Sequence, residues 1–236
     1  MKSGIRVAVL GAGLGSRMQG LAKAKPLARI AGKTLVDRLQ NQFLALGASE
    51  ILFALREELL DPADKQTLPP QSQYLFVNTE SSLHTLAALV EALSPPQGPV
   101  LFSMVDTILR DSDLAGFWKF CADLPAGESA LLVTPFVEDE KPLWVQVDDE
   151  GYVKKFGAEG AHLVTSGMYF LSPPAMALAP KFTGQGMQKM RNFLAALVEQ
   201  GLTIKTFVVE KTIDVDHPSD LESAEHFLRG AKGSSP

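Results

Sequence analysis

The sequence predicts a three-layer αβα fold, with a mixed, mostly parallel sheet between two layers of helices. Three observations carry this reading. Apolar, strand-length runs alternate with stretches of helical period over roughly the first 135 residues, as in parallel strands joined by crossover helices. The first apolar run, Val7 to Leu10, feeds straight into the glycine-rich stretch Gly11-Ala12-Gly13-Leu14-Gly15. A strand ending in such a turn closes a parallel sheet at the edge where ligands bind. Past Lys141 the pattern changes to a hairpin and longer strands, so a smaller antiparallel region is expected there.

Taken in order, Ile5 to Leu10 reads as the first strand, buried from Val7 onward. Lys33 to Leu46 places Leu35, Leu39, Phe43 and Leu46 at helical spacing, and Gly47 stops that helix where a C-cap glycine belongs. Ile51 to Leu55 is the second strand. Asp61 to Gln73 is a loop or a short broken helix, rich in Pro, Asp and Gln. Tyr74 to Val77 is the third strand. Ser81-Ser82 then caps a helix carrying Leu83, Leu86, Leu89, Val90 and Leu93. Pro95 to Gly98 turns the chain, and Val100 to Val105 is a strongly apolar strand ending on Asp106. Leu114 to Cys121 is helical and Ala130 to Val133 is another strand. Leu143 to Val147 and Tyr152 to Phe156 form a hairpin across Asp148-Asp149-Glu150-Gly151. Val164 to Leu171 is a long strand, Met187 to Gln200 a helix, Thr203 to Val209 a strand, and Pro218 to Leu228 the last helix.

The expected organisation is a single domain over residues 1–229. Its character changes after about residue 135, and the Gly- and Ser-rich tail from 230 is frayed. The chain has 236 residues, 46% hydrophobic and 21% charged, an ordinary globular composition. A formal net charge of -5 argues against a general nucleic-acid binder, whereas a nucleotide handler needs only a local positive patch. No apolar run approaches a membrane span, and Met1 to Gly4 is too short for a signal peptide, so a cytoplasmic location without a membrane partner is expected. The single Cys121 makes no internal disulfide and reads as a buried apolar position.

The glycine loop carries the chemistry. Its unpaired backbone N–H groups suit phosphate oxygens, and Gly at 11, 13 and 15 is expected to permit positive φ and close approach of a ligand. Arg17 and Lys25 add fixed positive charge beside it. Two common owners of such loops are excluded by spacing. A dinucleotide fingerprint would need Gly or Ala at position 16, where Ser stands, and an acidic end to the second strand, which instead ends at Arg56. A P-loop ending in Gly32-Lys33-Thr34 would need its opening glycine where Leu27 stands.

The composite Leu10-Gly11-Ala12-Gly13-Leu14-Gly15-Ser16-Arg17-Met18, then Lys25-Pro26-Leu27, then Gly32-Lys33, resembles the signature of the sugar-phosphate nucleotidyltransferases, the NDP-sugar pyrophosphorylases. Similar versions occur in cytidylyltransferases of alcohol phosphates and in molybdenum-cofactor guanylyltransferases. Gly11 stands where that signature usually has Ala. Ser103-Met104-Val105-Asp106 resembles the family's strand-end aspartate. Asp214 within Asp214-Val215-Asp216-His217-Pro218-Ser219-Asp220-Leu221 resembles its second metal ligand, and Ser166-Gly167-Met168-Tyr169 its acceptor-side strand. The resemblance covers most of the chain. It implies a Rossmann-like (GT-A-like) fold and Mg²⁺-dependent transfer from a nucleoside triphosphate to a phosphorylated small-molecule acceptor, with pyrophosphate released.

The resemblance assigns the nucleotide to residues up to about 135 and its acceptor to the remainder of the domain, with residue roles as follows. Arg17 and Lys25 are catalytic. Leu10, Gly11, Ala12, Gly13, Gly15, Ser16 and Ser82 hold the nucleotide. Glu159, Ser166 and Gly167 face the acceptor, and Asp106 and Asp214 hold Mg²⁺. Asp216 competes with Asp214, since alternate residues of a strand share a face. Lys189 and Arg191 are expected on an exposed helix face, His84 at a surface or cap, Lys23 in solvent, and Trp144 in packing. The acceptor half departs from the family: the usual Glu-Lys pair is reduced to Glu159 alone. A sugar 1-phosphate is the first expectation, with an alcohol or polyol phosphate beside it. A non-catalytic nucleotide-sugar sensor and a glycosyltransferase using the Asp214-Val215-Asp216 spacing also stay open, as does self-association.

Overall fold

The computed structural model describes residues 4–15, 23–93, 98–137, 141–157 and 160–230. The N-terminal half contains β1 (Arg6–Gly11), the two-residue strands β2 (Arg29–Ile30) and β3 (Lys33–Thr34), α1 (Leu35–Ala45), β4 (Glu50–Arg56), α2 (Pro62–Gln66), β5 (Gln73–Val77), α3 (Ser82–Ala92), β6 (Val100–Met104), β7 (Thr107–Ile108) and α4 (Asp111–Asp123). The remainder contains β8 (Ser129–Thr134), β9 (Trp144–Val147), β10 (Val153–Phe156), β11 (Leu163–Leu171), α5 (Pro173–Gly184), α6 (Met190–Glu199), β12 (Ile204–Val208), β13 (Ile213–Asp214) and α7 (Pro218–Gly230).

The central sheet is mixed. β6, β1, β4 and β5 run parallel in that order, and β12 runs parallel to β8. β11 is antiparallel to all its partners: β6 along residues 168–171, β9 along 163–164, and β8 along 164–170. A strand has only two edges, so β6 and β9 share one edge of β11 and β8 takes the other. The sheet therefore forks along β11. The register slips between Thr165 and Tyr169, and Gly167 sits in this gap at φ +68°.

Alternation along β1 explains the layers. Val7 and Val9 point into one core with Leu39 and Phe43 of α1, Phe117 and Cys121 of α4, and Phe227 of α7. Ala8 and Leu10 point into the other with Leu86 of α3, Met176 of α5 and Phe193 of α6. Residues 7–10 are thus buried on both faces, as a parallel strand covered on both sides must be.

The strands expected from the sequence form at the expected places. Four details differ. The helix expected from Lys33 begins at Leu35, because Lys33-Thr34 pairs with Arg29-Ile30 across a turn in which Ala31 and Gly32 have φ of 50° and 82°. Thr34 then caps α1 through a capping box with Asp37. α5 had no forerunner in the sequence reading. It starts with two prolines, whose missing N–H groups cost nothing in a first turn, and it survives Pro180 by burying Ala175, Met176 and Ala179. The helix expected from Met187 begins at Met190. Finally, β7 and β13 pair with each other outside the main sheet.

Candidate active site

β1 delivers the glycine loop to the carboxyl edge of the sheet, and two of its three glycines are required there, for different reasons. Gly15 has φ +58°, the left-handed conformation that favours glycine. At Gly11 an added Cβ would stand 3.0 Å from Leu55 Cδ2 and 3.1 Å from the Ala54 carbonyl, so packing demands it. Gly13 faces open space. Positive φ, expected at all three, occurs at Gly15 alone. Leu10, Gly11, Gly13 and Gly15 line a cavity of about 330 Å³ together with Lys25, Asp106 and Asp216. Ala12 is buried instead, and its carbonyl accepts from Arg56 Nη1 at 3.2 Å. The same nitrogen donates to the Thr79 carbonyl at 2.9 Å. Arg56 therefore straps the glycine loop to the segment that precedes α3. It ends β4, where a dinucleotide site would have an acidic residue. Its arginine was the available signal in the sequence, read there only as an exclusion.

Lys25 lies in a single 3-10 turn, Lys25–Leu27, anchored by the buried Pro26. Its side chain is only 11% exposed. The ammonium is paired with Asp106 and, at 2.6 Å, with Asp216 Oδ1. Burial alone would drive the proton off, but the two carboxylates outweigh it and hold the lysine above its ordinary pKa. Lys25 is a fixed positive charge here.

Asp106 sits in the turn between β6 and β7. Its carbonyl accepts from Val215 N at 3.1 Å, and Val105 N donates to the Leu10 carbonyl at 3.1 Å. These bonds, with the β7–β13 pairing, bring Asp214 and Asp216 to Asp106 from more than one hundred residues away. Asp214 accepts from Thr107 Oγ1 at 2.9 Å. It lines the larger cleft described below and is exposed to solvent there, with protein packed around it. Loss of hydration and the neighbouring Asp106 push its carboxyl up to about 7. Asp216 is oriented from behind, since Asp220 Oδ2 accepts from Asp216 N at 2.8 Å and from His217 N at 2.6 Å. Asp220 thereby caps the start of α7.

A larger cleft of about 720 Å³ opens beside the glycine-loop cavity and shares Met104, Asp106 and Asp216 with it. Ser82 lines this larger cleft, next to Ser81, whose hydroxyl caps α3. Gly167 lines it too, with no room for a Cβ against Thr107 Oγ1. Ser166 points the other way: it is buried, its Oγ has no hydrogen-bond partner, and Thr165 lines the cleft in its place. Lys189 and Arg191, expected on an outer helix face, line this cleft. Both remain exposed, as expected, Lys189 at the N-cap and Arg191 in the first turn of α6. Lys23 pairs with Asp61 at 2.8 Å on the surface, and Cys121 is buried with its thiol pKa pushed up by burial. Ser16, Arg17 and Glu159 lie outside the described residues.

Among the described residues, no three His, Cys, Asp or Glu side chains close round one point as a self-sufficient metal cage would require. No helix among them is long and apolar enough to cross a membrane.

Comparison with known proteins gives the family and the fold. Residues 7–197 match the MobA-like NTP transferase domain. No curated protein matches the sequence closely. Among solved structures, the inositol-1-phosphate CTP transferase from T. maritima is 18% identical and superposes with a TM-score of 0.78, covering 99% of this chain and 98% of its own. CMP:2-keto-3-deoxy-manno-octonic acid synthetase, complexed with CTP, is 19% identical at a TM-score of 0.73, covering 97% and 100%. CTP:phosphocholine cytidylyltransferase from Streptococcus pneumoniae is 17% identical at 0.73, covering 94% and 98%. These likenesses establish the GT-A-like fold. With the match over residues 7–197, they show that the chain belongs to the MobA-like NTP transferase family and is a nucleotidyltransferase.

Proposed function

We propose that this protein transfers a nucleotidyl group from a nucleoside triphosphate to a sugar or polyol phosphate, with Mg²⁺. The observation that carries the reading is the Lys25 ammonium held between Asp106 and Asp216 where the two cavities meet. In the proposed reaction an acceptor phosphate oxygen forms a bond to the α-phosphorus, and the bond from that phosphorus to the bridging oxygen breaks, releasing pyrophosphate. No covalent enzyme intermediate is needed, so positioning and charge neutralisation supply the rate. The loop amides beyond Leu10 receive the triphosphate, together with Ser16 and Arg17. Lys25, which stays protonated, draws together the attacking phosphate and the α-phosphate, which otherwise repel. Ser82 borders the base and sugar, and Gly167 the acceptor.

The donor set fits a hard divalent cation. Asp106 and Asp216 share the Lys25 ammonium, and Asp214 lines the same cleft beside Asp106. Two carboxylates with phosphate oxygens and water complete the shell Mg²⁺ prefers. Asp106 would hold it with Asp214 or Asp216, the two carboxylates that the β7–β13 pairing brings to the same cleft. Asp214, the expectation from the sequence, is the third carboxylate of the cluster and is tied to Thr107. When bound, the ion would neutralise charge on the triphosphate and the departing pyrophosphate.

Two observations favour a polyol phosphate as the second acceptor class: the acceptor half lacks the Glu-Lys pair, and a full-length structural neighbour is an inositol-1-phosphate CTP transferase. Pyrophosphate release with each common nucleoside triphosphate, Mg²⁺ and a panel of sugar and polyol phosphates tests the function. Asp106→Asn and Asp216→Asn should each lower turnover by about two to four orders of magnitude, the scale of lost transition-state charge stabilisation. Undiminished turnover in both would refute the site. Nucleotide binding with no turnover on any acceptor would favour a sensor.

A further inference from the structure

Thr107 stands between the carboxylate cluster and β11. It is buried and lies directly opposite Asp214 in the β7–β13 ladder. Its Oγ1 donates to Asp214 Oδ1 at 2.9 Å. A threonine has one O–H to give, and this bond uses it. The ladder does not need the hydroxyl for its own pairing, because strands pair through backbone N–H and C=O groups.

The same hydroxyl abuts Gly167 of β11. A Cβ at that position would collide with Oγ1 and would stand 3.3 Å from Met104 Cγ. The register slip between Thr165 and Tyr169 puts this glycine here, at φ +68°. A larger residue would be strained in its own backbone and would also press the hydroxyl away from its seat.

The three carboxylates are held by different groups. The Lys25 ammonium pairs with Asp106 and Asp216, and Asp220 accepts from Asp216 N. The hydrogen bond that reaches Asp214 comes from Thr107. Asp214 is itself exposed and lines the larger cleft with Asp106. A hydrogen bond to one oxygen of a carboxylate fixes its plane and leaves the second oxygen to take a cation. A buried donor behind an exposed carboxylate is therefore suited to orient a metal ligand.

Resting on the metal-dependent reaction proposed above, we infer that Thr107 is a positioning residue, whose hydroxyl, seated against Gly167, sets the Asp214 carboxylate for the divalent cation. Gly167 thereby acts on the carboxylate cluster from the acceptor-side strand.

Water-proton relaxation on the full chain tests this by following Mn²⁺, alone and as its tripolyphosphate complex. Wild type is compared with Thr107→Val, which keeps the branched shape without the hydroxyl, with Thr107→Ser, which keeps the hydroxyl, and with Asp214→Asn. A thermal melt checks the fold of each, and Thr107→Ala takes the place of the valine variant should that one not fold. Thr107→Val and Asp214→Asn should each weaken Mn²⁺ binding by about tenfold or more, the scale of a lost outer-shell partner or ligand, while Thr107→Ser stays within about threefold of wild type. Binding unchanged in Thr107→Val overturns the inference. A loss as large in Thr107→Ser does the same, since the hydroxyl would not then be the operative group. So does unchanged binding in Asp214→Asn, which would put the ion on Asp216. In turnover, Thr107→Val should raise the Mg²⁺ concentration for half-maximal pyrophosphate release about tenfold, with kcat restored by excess Mg²⁺. A fall in kcat that excess Mg²⁺ leaves in place would mark a general defect and overturn the positioning role. Mn²⁺ binding with the expected variant pattern but no turnover on any acceptor removes the transferase reading and leaves Thr107 as the positioning residue. A wild type that binds no Mn²⁺ in either form removes both.

Discussion

Asp214 is the residue whose ionisation is least comfortable. Its carboxyl is pushed up to about 7 because the protein packed around it displaces part of its hydration and Asp106 repels its charge, although the side chain stays open to the cleft. An unfolded aspartate titrates near 4. Between these values the folded chain binds more protons than the unfolded one, so this contribution to stability is full below about pH 4 and lost as pH rises through 7. In metal-free protein held in EDTA, the melting temperature of wild type should therefore fall from pH 5 to pH 8 relative to Asp214→Asn. Parallel curves for the two proteins would show that Asp214 ionises normally. Lys25 shows the opposite resolution of the same conflict. Burial opposes its charge too, yet two carboxylates hold the proton on.

At the level of elements, the site is assembled by short pieces that fasten strand ends to one another. The β7–β13 pairing joins residues 107–108 to 213–214. Asp220 holds the start of α7 against Asp216 and His217. Arg56 ties the end of β4 to Ala12 and Thr79. Its side chain is 13% exposed, and its removal would leave two carbonyls without that donor. Arg56→Ala should raise the nucleotide KM about tenfold, equivalent to roughly 1.4 kcal/mol, while the acceptor KM stays within twofold. A change in the acceptor KM instead would place the strap's effect on the other side of the cleft. None of these fastenings has a sequence period. The helices and strands were legible because burial on one or two faces imposes one, whereas a two-residue ladder or a guanidinium strap depends on which chain ends meet.

For the whole molecule, the glycine-loop cavity and the larger cleft form one continuous trough at the carboxyl edge of the parallel strands, joined at Asp106 and Asp216. A ligand pair filling it would bind only the folded chain and stabilise it by mass action. At one hundred times its dissociation constant, the cognate triphosphate with Mg²⁺ should add about 2.7 kcal/mol, or roughly 5–10 °C in melting temperature for a chain of this size. A matrix of triphosphates against phosphorylated acceptors reads both preferences at once. An absence of any shift with every triphosphate would argue against nucleotide binding in the trough.

The sequence by itself determined the alternation of strands and helices, the glycine turn with its nearby lysine, and the identity of the carboxylates at two strand ends. Each is local, set by burial period or by residue types within one turn. Only the tertiary structure decided that Asp216 shares Lys25 with Asp106 while Asp214 is held by Thr107. It alone turned Ser166 into the core and brought Thr165, Lys189 and Arg191 to the cleft. The register slip at Gly167 and the start of α6 at Met190 have the same kind of cause. A side chain's direction at a bulge, or at the first turn of a helix, is fixed by packing against segments distant in the chain, and spacing along the sequence does not encode it.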